Sequence, residues 1–130
     1  MTPTLMTVIH MALLTWLTLL GGSLFRERAW TREGVAIAFG NRDNLPPPSA
    51  LSGRADRTAN NTMENFVLFA AIALALHAAG LDNERVALGA QVFFWARVVY
   101  VPVYYAGIVY LRSAVWLVGV IGIGMMLAAI

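Results

Sequence analysis

No charged side chain occurs between Met1 and Phe25, and the stretch Leu5–Phe25 is long enough to cross a hydrocarbon core of about 30 Å. The run is longer than the apolar region of a secretory signal, and it lacks a basic leader and a small-residue cleavage site, so it reads as a membrane span. Three further apolar runs follow: Thr58–Leu81, interrupted only by Glu64; Val86–Leu111, interrupted only by Arg97; and Ser113–Ile130, which is uncharged. In lipid, backbone polar groups must be satisfied within the structure, and runs of this length do so as helices. The expectation is an all-α, integral membrane four-helix bundle forming one domain over residues 1–130, with spans at about 5–25, 58–81, 86–111 and 113–130. Composition agrees, since 59% of residues are hydrophobic and 12% charged, against about 25% charged in soluble domains.

The polar remainder is concentrated. Residues 26–56 carry Arg26, Glu27, Arg28, Arg32, Glu33, Arg42, Asp43 and Arg54 around Pro46-Pro47-Pro48, which reads as a long loop whose proline run is extended. Asp82-Asn83-Glu84-Arg85 reads as a short turn between the second and third spans, and Arg112 as a tight junction between the third and fourth. Arginines cluster in the first loop and at Arg112, while the opposite turn has only Arg85. The positive-inside rule then places the 26–57 loop in the cytoplasm and both termini on the other side; in a bacterium the membrane would be the inner one. A net charge of +2 is too small for a nucleic-acid footprint. With no cysteine, thiolate metal sites and a cysteine nucleophile are excluded, no metal site is read, and any thiol chemistry must arrive with a ligand.

Ionisable groups inside spans are expensive, about 2.5–3.5 kcal/mol at mid-span on insertion scales, and so mark functional candidates. On the second span Arg57, Asn61, Glu64 and Asn65 share one helical face. On the third, Arg97, Tyr100 and Tyr104 do the same, and Arg112-Ser113 follow. At 1.5 Å per residue, Glu64 lies about 10 Å below Arg57 and Tyr104 about 12 Å below Arg112, so the two groups share a depth. Arg97 lies about 10 Å deeper than Tyr104 and needs an acceptor, for which Glu64 is the one carboxylate within reach. A structural ion pair locking two helices is the plainer reading of Glu64 and Arg97. Tyr105 and Tyr110 fit packing or the interfacial belt. His10 and His77 fit helix-to-helix hydrogen bonding, and Gly119, Gly122 and Gly124 close packing.

Arg57-Thr58-Ala59-Asn60-Asn61-Thr62-Met63-Glu64-Asn65 resembles the R-x-x-x-N-x-x-E-N signature of the MAPEG family, the membrane-associated proteins in eicosanoid and glutathione metabolism. The segment from Arg97 through Tyr100 and Tyr104 to Tyr110-Leu111-Arg112-Ser113 is similar to that family's third-helix motif. The resemblance implies a homotrimer of four-helix subunits in contact with membrane lipids, binding glutathione as thiol co-substrate between subunits near the cytoplasmic face. It implies Arg57, Asn61, Glu64, Arg97, Tyr100 and Tyr104 as cofactor-binding residues, with Glu64 on the ammonium and Arg57 and Arg97 on carboxylates or site structure. Arg112 and Ser113 are implied as the catalytic pair that stabilises the thiolate. The implied activity is a glutathione-dependent transferase or peroxidase acting on a small hydrophobic electrophile or a lipid hydroperoxide. Two rivals stand beside it: a non-catalytic protein of the same fold binding an anionic metabolite or lipid, and a small transporter subunit using Glu64 and Arg97 as a translocation pair. The second is weakened by the absence of inverted repeats.

Overall fold

A computed structural model describes residues 1–130. It is all-helical: α1 (Pro3–Glu27), α2 (Arg32–Phe39), α3 (Ala50–Ala78), α4 (Glu84–Ala106) and α5 (Val109–Leu127). All but α2 are long and apolar enough to cross a membrane. Large apolar side chains such as Trp16, Leu68, Trp95 and Leu117 are more than half exposed, as suits helices that stand in lipid. The chain is an integral, multi-pass membrane protein.

Local chemistry moves several boundaries away from the hydropathy runs. The segment 26–56 is not a continuous loop: Thr31 caps α2 by accepting from the Gly34 N–H at 2.9 Å, and α3 begins at Ala50. The prolines cannot continue a helix inward, but Ser49 and Ser52 form a reciprocal capping box immediately after them, with bonds of 2.8 and 3.0 Å. Arg57 therefore sits two turns inside α3, where its direction is fixed by the helix. The break between the last two spans falls at Gly107-Ile108 rather than at Arg112. Gly107 takes φ +75° as the left-handed cap of α4, a conformation that suits glycine. Arg112 and Ser113 thus open α5 instead of closing α4. Arg54 of α3 steadies this junction by donating from Nε to the Tyr105 carbonyl at 2.9 Å.

Helix α4 packs chiefly on α5, and α1 on α3. The α4–α5 seam is close: a Cβ on Gly122 would lie 2.7 Å from the Gly89 carbonyl oxygen, and one on Gly89 would lie 2.6 Å from that of Gly122. The apolar core, built from Met11, Phe69, Ala73, Leu76, Val86, Ala90, Phe93 and Met126, fills the half of the bundle next to the α3–α4 turn. Phe69 and Phe93 stack there at 4.6 Å. At the tip of that half, Asp82 accepts from Thr2 Oγ1 at 2.6 Å and Thr4 Oγ1 at 2.5 Å, and its other neighbour is His77 Nδ1 at 3.0 Å. Burial opposes ionisation of Asp82, but these hydrogen bonds outweigh it and hold its pKa below the ordinary value. The start of α1 is thereby tied to the α3–α4 turn. In the opposite half, where the polar cluster lies, the buried apolar residues include Ala55, Ala59, Tyr100 and Val103.

Candidate functional site

Between α3 and α4, in the half of the bundle that carries the α1–α3 connection, lies a recess of about 360 Å³ lined by Arg57, Asn60, Asn61, Glu64, Tyr100, Tyr104 and Arg112. Its floor and walls come from three helices. Arg57, Asn60, Asn61 and Glu64 project from successive turns of α3, Tyr100 and Tyr104 from α4, and Arg112 from the first turns of α5, brought alongside by the two-residue junction. Asn60, three residues after Arg57 and four before Glu64, belongs to the same helical face. Its helical spacing from Arg57 and Glu64 is legible in the sequence.

Tyr104 is the centre of the cluster. Arg57 Nε donates to its phenolic oxygen at 3.2 Å, and the Arg112 guanidinium lies 4.7 Å from its ring centroid. One arginine thus holds the hydroxyl and another faces the ring, so Tyr104 keeps its own O–H free to donate. Tyr100 meets Tyr104 edge-on at 5.6 Å. Glu64, Asn60 and Arg112 make no side-chain hydrogen bond or ion pair within the chain, leaving a carboxylate, an amide and a guanidinium directed at the same small space.

Two residues expected at the site, Ser113 and Arg97, do not line the recess. Ser113 is exposed, does not line the recess, and its hydroxyl lies 3.5 Å from the Val109 carbonyl of its own helix. Arg97 is 1% exposed and sits behind the wall of the recess, with its guanidinium 4.0 Å from the Tyr100 ring centroid. Its expected partner was Glu64, but the ion pair is not formed. Arg97 Nη2 instead donates to Asn61 Oδ1 at 2.9 Å and Thr62 Oγ1 at 3.0 Å. Neutral oxygens about one turn before Glu64 on α3 are reached without desolvating a second charge, which a buried Arg–Glu pair would require. Thr62 carries no polar pattern that would single it out. Asn65, on the expected stripe, is turned back to the Asn61 carbonyl at 2.9 Å.

A second hollow, about 480 Å³, lies between α4 and α5 and is lined by seven apolar side chains and Gln91. The Gln91 amide is spent on Thr7 Oγ1 at 2.8 Å. That hollow can hold a hydrocarbon but offers nothing to an ionised ligand. No group of His, Asp and Glu side chains is arranged to hold a metal ion.

The family model described as the MAPEG family matches residues 3–130. No curated protein and no solved structure matches the chain.

Proposed function

The chain belongs to the MAPEG family, and from that premise we propose that it is a glutathione-dependent transferase or peroxidase acting on hydrophobic electrophiles or lipid hydroperoxides drawn from the bilayer. The observation that carries this reading is the recess itself, in which the Glu64 and Arg112 side chains make no hydrogen bond or ion pair within the chain while Arg57, Asn61 and Tyr104 stand beside them. Glutathione offers two carboxylates, an ammonium group and a thiol. The Arg57 guanidinium suits a carboxylate, Glu64 suits the ammonium, and Asn61 and Tyr104 orient the peptide. Arg112 is left for the sulfur. A free thiol has a pKa near 8.5, and lowering it by about one and a half units raises the thiolate fraction at neutral pH from a few per cent to about half. The thiolate then forms a carbon–sulfur bond with an electrophile as a leaving group departs or an activated double bond takes up a proton. Alternatively it attacks a hydroperoxide oxygen, breaking the O–O bond to release an alcohol and leave a glutathione sulfenic acid that a second glutathione converts to the disulfide with loss of water. Ser113 would join Arg112 only if its side chain turned from its own helix.

The recess is open on one side. Glu64 and Asn60 are exposed on the same stretch of α3 as Met63 and Val67, and a carboxylate left facing hydrocarbon is costly. A neighbouring subunit closing this side gives the homotrimer that the family resemblance implies, with the 26–57 loop and the recess toward the cytoplasm. Native mass spectrometry in mild detergent is expected to show a three-chain species. A monomer that keeps full ligand affinity would contradict it. The transporter reading needed Glu64 and Arg97 as a pair, and they are not in contact.

The test is calorimetric titration of the solubilised protein with glutathione. Saturable binding that weakens in Glu64→Gln is expected. Absence of binding would favour a non-catalytic protein with another anionic ligand.

A further inference from the structure

Arg97 is the most deeply buried charged side chain in the chain, yet it does not line the recess. A guanidinium has five N–H donors and no acceptor, so the Asn61 atom 2.9 Å from Arg97 Nη2 must be the side-chain oxygen. The same oxygen lies 3.4 Å from Asn65 Nδ2. With Oδ1 committed behind the wall, the Asn61 NH₂ group has no partner in the chain, and it belongs to a residue that lines the recess. Arg97 is itself held in place. It also donates to Thr62 Oγ1 and lies against the Tyr100 ring, so one α4 side chain grips two consecutive residues of α3. Its Nε and Nη1 find no partner, a cost that simple helix pinning does not require, since apolar packing of similar volume would pin as well.

We propose that Arg97 is a positioning residue that acts through Asn61, fixing the amide so that its N–H donors and not its oxygen face the recess. This point of the site then accepts a carboxylate or peptide carbonyl and rejects a donor group. The identity of the ligand rests on the glutathione reading; the Arg97–Asn61 arrangement does not.

Three variants test it: Asn61→Asp, Arg97→Met and Arg97→Lys, each followed by thermal midpoint in detergent and by glutathione titration. Asn61→Asp keeps an oxygen toward Arg97 and adds a complementary charge, so its midpoint stays at or above that of the wild type. It loses the donor, so affinity falls by about tenfold or more. Arg97→Met lowers affinity although no residue lining the recess has changed, and Arg97→Lys recovers part of it, because an ammonium still donates to the Asn61 oxygen. Wild-type affinity in Asn61→Asp would overturn the proposal. So would an Arg97→Met protein with a lower midpoint and unchanged affinity, which would make Arg97 a helix pin only. If Arg97→Met does not fold, Asn61→Asp still decides. If the wild type does not bind glutathione, the glutathione reading fails by itself, and the midpoints continue to test the arrangement: a collapse of Asn61→Asp to the level of Asn61→Leu overturns it, and a retained midpoint supports it.

Discussion

The knot of polar side chains at the α3–α4 turn and the polar recess at the opposite end of the bundle treat their members in opposite ways. At the α3–α4 turn, Asp82 is satisfied by Thr2, Thr4 and His77, and Asn83 caps α4 by accepting from the Arg85 and Val86 N–H groups. Beneath that knot lies the apolar core. At the other end, Glu64, Asn60 and Arg112 are gathered around a recess without a side-chain hydrogen bond or ion pair in the chain. A polar group that is satisfied locally contributes to holding the fold, whereas a cluster that is assembled and left unsatisfied stores interaction for something else. Polarity alone does not separate the knot from the recess; satisfaction does.

This contrast predicts that substitutions at the open end change ligand chemistry with little change in stability, and that those at the knot do the reverse. The largest effect is expected at Arg112. Arg112→Ala should lower turnover with a generic electrophile by about 100-fold or more while changing glutathione affinity much less, because the guanidinium interacts more strongly with ionised sulfur than with the neutral thiol. Steady-state kinetics set against titration separates the two quantities. Next comes Glu64→Gln, which removes a charge-assisted bond to an ammonium and should weaken glutathione binding by about 10–100-fold. Its thermal midpoint should stay that of the wild type, and a large drop would place Glu64 among the structural groups.

At the knot the expectation inverts. Asp82→Asn should cost about 1–3 kcal/mol of stability and leave glutathione affinity unchanged. Because Asp82 has a depressed pKa in the folded protein, its contribution is present above the ordinary carboxylate pKa, near 4, and is lost as pH falls through the lower folded value. Thermal midpoints across an acid pH series should therefore drop at the low end in the wild type and flatten there in Asp82→Asn. The smallest effect belongs to His77→Ala, since this side chain is 41% exposed in its pair with Asp82. It should cost less than about 1 kcal/mol, and a larger loss would show that the histidine, rather than the threonines, holds the turn.

The sequence already carried the four spans, because uncharged runs of this length have one economical solution in lipid. It also carried most of the recess, since Arg57, Asn61 and Glu64 repeat at helical spacing and Tyr100 and Tyr104 do so on the facing helix. What hydropathy missed is set by short-range backbone chemistry. The Ser49/Ser52 box starts α3 well before its apolar stretch, and Gly107 ends α4 inside an apolar one. The partners of Arg97 were illegible for a different reason: a charge seeks a countercharge in a sequence argument, but in a packed interior two neutral oxygens at the right distance suffice. The Asp82 knot was hidden because Thr2 and Thr4 lie some 80 positions away, and a turn aspartate has a local explanation already.

The measurement closest to the central claim is thiolate absorbance on adding glutathione at neutral pH to the wild type, Asp82→Asn and Arg112→Ala. If the unsatisfied end of the bundle is a thiol-activating site and the knot is structural, the signal rises and saturates in the wild type and in Asp82→Asn, and is lost in Arg112→Ala. A wild type that yields no thiolate, or an Arg112→Ala protein that yields as much as the wild type, would contradict that assignment.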